Sequence, residues 1–191
     1  MKKKQKKKIL KLIISVLLVV ATIIISNNVS FAETEQNTGS STFKLTYDLI
    51  EYNTDGGISG LDVAKKTGED ARCVFKTLVT VSKDKNYYVF VVPSISELDL
   101  KKAAKASGEK KIEMIHQKEL LPLTGYIHGG CSPIGMKKEF PTFIDSSAKD
   151  LDYFFVSGGK VGLQVKINPK DVANLIGAKF FDICKEDLWI I

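Results

Sequence analysis

The sequence predicts an α+β domain: a twisted, mostly antiparallel mixed sheet curling toward a barrel, flanked by short helices. Three observations predict it. Segments with strand pattern outnumber segments with helical pattern. Several strands are separated only by short clusters of Gly, Asn and Asp, which favour antiparallel neighbours. The helical segments are short, and most close on a glycine.

Taken in order, Phe43 to Tyr52 alternates imperfectly and is rich in Leu, Ile, Tyr and Thr, so it reads as a strand. Asn53–Gly57 is a turn cluster. Ser59 caps a short helix carrying Leu61, Val63 and Ala64, which Gly68 ends, and Asp70 caps a helical turn over Ala71–Phe75. Phe75–Val81 and Tyr87–Pro93 are strands, the second uniformly apolar and therefore buried. Asp99–Gly108 is a helix with an acidic start and a glycine stop. Lys118–Leu123 is a second one, closed by Thr124-Gly125. Phe140–Asp145 is a strand, and Ser146 opens a short helix through Leu151. Tyr153–Ser157 and Lys160–Ile167 form a hairpin across Gly158-Gly159. Pro169 starts a helix that Gly177 stops, and Ala178–Cys184 is the last strand. Residues 185–191 are a tail without assignment.

Charge is uneven along the chain. The net charge of +6 arises at the N-terminus, where seven lysines fall within residues 1–11 and no acid precedes Glu33. The remaining 21 basic residues stand against 22 acidic ones, a net of −1. Bulk charge thus gives no argument for nucleic acid, although local lysine patches can still serve. The lysines are followed by an uncharged apolar run, Leu12–Ile25, of signal-peptide length, and Ser30-Phe31-Ala32 offers small residues at −3 and −1. Residues 1–32 therefore read as a signal peptide or membrane anchor that engages membrane or export machinery. Glu33–Thr42 is a polar linker, and the domain proper runs from 43 to 184. Three cysteines, Cys73, Cys131 and Cys184, form neither a disulfide framework nor a zinc signature.

Gly125-Tyr-Ile-His-Gly-Gly-Cys-Ser-Pro-Ile-Gly135 is the most informative stretch. It is either a tight connection or a loop that presents backbone N–H groups to an anion or a developing oxyanion. Lys76, set among apolar strand residues, is either a stem lying on the core or a pocket lysine for phosphate. His116 and His128 have no metal or triad companions, Cys131 has no spaced base, and no P-loop, G-x-S-x-G elbow or H-E-x-x-H is present. What remains is a set of binding groups: Lys76, the loops at Gly129-Gly130 and Gly158-Gly159, and Ser157. That inventory suits positioning and electrostatic stabilisation without a protein nucleophile, cofactor or metal.

Residues Tyr47 to Cys184 resemble the YbaK/EbsC family, the Cys-tRNA(Pro) deacylases. The resemblance lies in Gly56-Gly-Ile-Ser-Gly60, Val74-Phe-Lys-Thr-Leu-Val79, Leu98-Asp-Leu-Lys-Lys-Ala-Ala-Lys105, Thr124 through Lys138, and Val156-Ser-Gly-Gly-Lys160. It implies a fold like the editing domain of bacterial prolyl-tRNA synthetases and action in trans on mischarged aminoacyl-tRNA, with that synthetase as a partner. It implies that Lys76 lies near the tRNA 3′ end and that the Gly129 N–H contacts the aminoacyl ester. It further implies that Tyr52 lines the pocket and that Ser157 belongs to the site. Gly130, Ser132, Pro133, Gly158 and Gly159 complete the expected substrate-binding set. The implied reaction is substrate-assisted: the thiol of the misattached cysteine attacks its own ester and leaves as a cyclic thioester. A deacylase for Ala-tRNA(Pro) or another aminoacyl-tRNA, and an exported or tethered binding module of the same fold, are the alternatives. The family activity implies a cytoplasmic location, the N-terminal segment an exported or anchored one.

Overall fold

The computed structural model describes residues 32–38 and 41–186. All of the expected signal or anchor segment but Ala32, and residues 187–191 of the tail, lie outside them. Among the described residues, nine strands lie in two sheets. The first has the order β1 (Ala32–Thr38), β2 (Ser41–Glu51), β8 (Leu163–Ile167), β7 (Phe154–Ser157) and is antiparallel throughout. The second has the order β5 (Ile112–Met114), β3 (Phe75–Ser82), β4 (Tyr87–Pro93), β6 (Thr142–Asp145), β9 (Lys179–Phe181). Its β5–β3–β4 part is antiparallel, and β4–β6–β9 is parallel. A parallel bridge, Val74 to Phe155, joins the two sheets. The α+β class and the mostly antiparallel pairing are as expected. The curl toward a barrel stops short, because among the described residues the sheets do not close.

Alternation along β3 and β4 explains the layering. Phe90 and Val92 pack with Ala103 and Ala104 of α2 (Leu100–Ser107), together with Leu98, Ile112 and Ile183. Val79 and Val89, on the opposite face, pack with Leu120 of α3 (Gln117–Thr124) and with Cys131 and Met136. The glycine-rich stretch is thus fastened to the sheet by its own buried residues. A third cluster joins Val63 and Ala64 of α1 (Gly60–Thr67) to Val74 and Phe155, with Ile50 and Tyr52 against it. Each fully buried Val or Phe of these clusters contributes about 1.5–3 kcal/mol relative to exposure.

Helix ends follow the expected chemistry. Ser59 and Asp62 form a reciprocal capping box on α1, and Asp99 and Asn168 cap α2 and α4 (Pro169–Ile176). Gly68, Gly108, Gly125 and Gly177 close the four helices in the left-handed conformation.

Four local expectations are corrected. Residues 33–38, read as part of a polar linker, form β1 together with Ala32, the last residue of the expected signal or anchor segment, and β1 is paired along its length with β2. A polar segment can take that place because the pairing uses backbone groups that β2 would otherwise leave open. The helix expected from Ser146 to Leu151 is one 3₁₀ turn, Ser146–Ala148, capped by Asp145 instead of Ser146. The last strand ends at Phe181, because the buried Asp145 carboxylate accepts the Ile183 N–H and the chain turns to pair Cys184 with Leu98. β5 was not expected at all, since only Ile112 of its three residues is buried.

Candidate functional site

Three glycine-bearing loops meet at one place. The first is the approach to α1, Gly56–Gly60. The second is Gly125–Gly135. The third is the β7–β8 connection, which spans residues 158–162 and not the two-residue turn expected. Contacts at the glycines show how closely they meet. A methyl group on Gly129 would stand 2.6 Å from Ile58 Cδ1 and 3.4 Å from Val161 Cγ2. One on Gly130 would stand 3.1 Å from the Lys160 Cα and 3.2 Å from the Val161 nitrogen. One on Gly159 would lie 3.0 Å from Cε1 of Tyr126. Gly130 therefore admits no side chain without moving the facing backbone, which is the use that glycine has at a close approach.

The Gly125–Gly135 loop is braced from inside. Thr124 Oγ1 donates to the Leu120 carbonyl at 2.7 Å and accepts the Tyr126 N–H at 3.0 Å. The Thr124 carbonyl accepts the Lys137 N–H at 2.9 Å, closing the loop across its base. Tyr126 donates its hydroxyl to the Ile134 carbonyl at 2.7 Å. Burial pushes the Tyr126 phenol up to about 12, so it stays a donor at any ordinary pH. Ser132 is buried, its Oγ accepting the Ile134 N–H at 3.2 Å, and Pro133 is buried beside it. Those two residues shape the loop from its core side. Gly129 has φ +80° and its N–H has no protein acceptor among the described residues, whereas the Gly130 N–H is held by the Ile127 carbonyl at 3.0 Å.

Lys76 lies on the β3 face that carries Val74. Its half-buried ammonium donates to the Ser94 carbonyl at 3.4 Å. Desolvation pulls its pKa below the ordinary lysine value, against smaller opposing effects from Glu97 and Cys184. Ser94 also faces Gly60: a methyl group there would stand 1.9 Å from Ser94 Cβ. The chain thus runs from Lys76 through Ser94 and Gly60 to Ile58 and Gly129. The isolated parallel bridge between Val74 and Phe155 brings the start of β3 beside β7, with Lys76 two residues beyond the bridge on one strand and Ser157 two beyond it on the other. Ser157 Oγ accepts the Gly159 N–H at 3.3 Å, and the Gly158 N–H is bonded to the Leu163 carbonyl at 2.9 Å. Tyr52 packs over the Val63, Ala64, Val74 and Phe155 cluster, with its N–H on the Gly162 carbonyl at 2.9 Å.

The expected residues thus fall into two groups. Gly129, Gly130, Ser157, Gly158 and Gly159 converge through the facing loops, while Lys76 and Tyr52 approach from the strands behind α1. Ser132 and Pro133 sit in the loop's buried half. Sequence reasoning missed Ile58, Ser94 and Tyr126; only the adjacent glycines signalled that something packs there. Cys131 is buried and its thiol is pushed up to about 12 by burial, which leaves almost no thiolate near neutral pH. His128 is exposed at the loop's outer edge.

Residues 60–175 match the family model described as the aminoacyl-tRNA editing domain. Over 160 residues the chain is 41% identical to the Enterococcus faecalis protein named "Putative Cys-tRNA(Pro)/Cys-tRNA(Cys) deacylase EbsC", covering 81% of this chain and 98% of that one. It is 24% identical over 140 residues to the uncharacterized protein YwhH of Bacillus subtilis, covering 73% of this chain and 88% of that one. Among solved structures, one described as "a putative trans-editing enzyme for prolyl tRNA synthetase" shares the fold, with a TM-score of 0.67 and 24% identity over 73% of this chain and 87% of its own. The match over more than half of the chain, with the near full-length relative, establishes that this chain belongs to the aminoacyl-tRNA editing domain family.

Proposed function

We propose that this protein is a trans-editing deacylase that removes cysteine from Cys-tRNA(Pro). The observation that carries the reading is the combination of 41% identity to EbsC with a site that holds donors and a cation but no activated nucleophile. In this reading the charged 3′ end enters between the Gly129 loop and the 158–162 turn. The Gly129 N–H donates to the ester carbonyl oxygen and to the oxyanion that develops there. Lys76 neutralises phosphate charge at the 3′ end, held in place by the Ser94 carbonyl. Tyr52, Ser157 and the backbone of Gly130, Gly158 and Gly159 shape the cavity.

The substrate supplies its own nucleophile. Its cysteinyl sulfur, as the thiolate, attacks the ester carbonyl carbon; a C–S bond forms, the C–O bond to ribose breaks, and the ribose oxygen takes up a proton. The amino acid departs as a cyclic thioester. The protein's share is to hold sulfur and carbonyl within reach, since a fixed near-attack geometry replaces a large entropic part of the barrier.

The test is deacylation of Cys-tRNA(Pro), Ala-tRNA(Pro) and Cys-tRNA(Cys) by the purified full chain, with Lys76→Ala as control. Release of cysteine from Cys-tRNA(Pro) that Lys76→Ala abolishes supports the reading. Faster release of alanine assigns the pocket to Ala-tRNA(Pro) instead. No release above the uncatalysed rate from folded protein rejects both. Prolyl-tRNA synthetase is the partner that this reading implies, and co-migration with it on charged tRNA(Pro) tests that. The lysine-rich, apolar start of the chain favours a second arrangement, in which the same domain is exported or held at a membrane; fractionation of the native host distinguishes the two.

A further inference from the structure

The middle of the first sheet carries a polar atom that the fold leaves unused. Gln164 on β8 is only 6% exposed, and its Oε1 has no hydrogen-bond partner. A buried acceptor without a donor costs about 1–3 kcal/mol, so nothing in folding favours it. Its place is informative. Gln164 is the direct cross-strand partner of Ser157 on β7 and of Ile50 on β2. Directly opposed residues share a sheet face. Ile50, Gln164 and Ser157 therefore form one row, and Tyr52 follows Ile50 on the same side. Phe155, two residues before Ser157, is also on that face and packs under Val63 and Ala64 of α1. The unused acceptor thus lies on the face that holds Tyr52 and Ser157, next to the turn that meets Gly130.

We infer that Gln164 is a substrate-contacting residue whose Oε1 accepts a hydrogen bond from the charged 3′ end of the aminoacyl-tRNA. This rests on the deacylase reading above. The ligand must bring a donor, because the orphan atom is an acceptor only. Beside the ester the charged 3′ end has two nitrogen or oxygen donors, the α-ammonium of the aminoacyl group and the free ribose hydroxyl, and it is one of these that Gln164 takes. A site that places an unpaired polar atom against a substrate donor discriminates strongly, since a ligand lacking the donor leaves that atom unpaired.

The inference predicts opposite effects on stability and on activity, which a structural role does not. Gln164→Met keeps the side-chain length and removes the orphan acceptor. It raises or preserves the melting temperature of the free protein, and it lowers kcat/KM for Cys-tRNA(Pro) by about 10- to 100-fold. The source of the donor follows from two analogues, 3-mercaptopropionyl-tRNA(Pro), which keeps the thiol and lacks the α-nitrogen, and the 2′-deoxy-terminated charged tRNA. The analogue on which wild type and Gln164→Met act at equal rates is the one whose donor Gln164 takes. A lowered melting temperature, or a variant that does not fold, shows the amide to be structural and overturns the inference. So does wild-type kcat/KM in Gln164→Met, or an unchanged penalty on both analogues. A wild-type chain that deacylates nothing overturns the deacylase reading and this inference with it; an active wild type with an indifferent Gln164→Met overturns this inference alone.

Discussion

Gly129→Ala tests the role of the loop most sharply, because its two effects separate. The first is strain. Gly129 has φ +80°, a left-handed conformation that costs an L-residue about 1–2 kcal/mol. The new Cβ would also stand 2.6 Å from Ile58 Cδ1. That neighbour is the far end of a side chain that is 37% exposed, so it can turn toward solvent at an off-rotamer cost of about 0.5–1.5 kcal/mol. The sum, about 2 kcal/mol, lowers the melting temperature by about 4–8 °C in a domain of this size. The second effect is on chemistry. Relieving the φ strain rotates the 128–129 peptide, which carries the N–H assigned to the oxyanion, and loss of one such donor costs about 100- to 1,000-fold. A thermal melt reads the first effect, and single-turnover release of labelled cysteine reads the second. Loss of stability with kcat/KM within about twofold of wild type would show that the Gly129 N–H bears no catalytic role.

Three further outcomes follow from the same geometry. Lys76 titrates below an ordinary lysine because burial disfavours its charge. Between that lowered value and 10.5 the unfolded chain binds more protons than the folded one, so the contribution of Lys76 to stability rises with pH there. Its hold on phosphate falls over the same interval, so kcat/KM declines at a pH below 10.5, and Lys76→Arg moves the decline upward in a pH–rate profile. Cys131→Ala leaves deacylation within about twofold, since that thiol is nearly all protonated near neutral pH, but it costs about 1 kcal/mol in chemical denaturation through lost packing. Tyr126→Phe strands the Ile134 carbonyl, costs about 1–3 kcal/mol of stability, and raises KM more than it lowers kcat because it loosens the loop without removing a reacting group.

The parts of the fold written in local pattern were legible. Helix starts at Ser59, Asp99 and Pro169 and stops at Gly68, Gly108 and Gly177 use chemistry confined to a few neighbouring residues. The alternation of β8 and the continuous apolar run of β4 follow from burial on one face or on both faces of a pleated sheet. β1 and β5 were not legible, because neither carries an apolar pattern: β1 is held by backbone pairing with the adjacent β2, and β5 by pairing with the more distant β3. The glycines of the site could be picked out, but not their reason. Gly130 is glycine because Lys160, thirty positions on, presses its backbone there, and no local pattern encodes that approach. Ile58, Ser94 and Tyr126 were missed for the same cause. Gln164 sits in a strand of otherwise ordinary alternation, and only its burial without a partner sets it apart.

The central claim is that the protein positions an ester and the substrate's own sulfur attacks it. The most direct test compares Cys-tRNA(Pro) with S-methyl-cysteinyl-tRNA(Pro) on the purified full chain under single-turnover conditions, with the released product identified by mass. The account predicts cyclic thioester from the first and release at the uncatalysed rate from the second, since the methyl group removes the nucleophile and little else. Comparable catalysed release from both, as the free amino acid, would contradict it and point to attack by water or by a group of the protein.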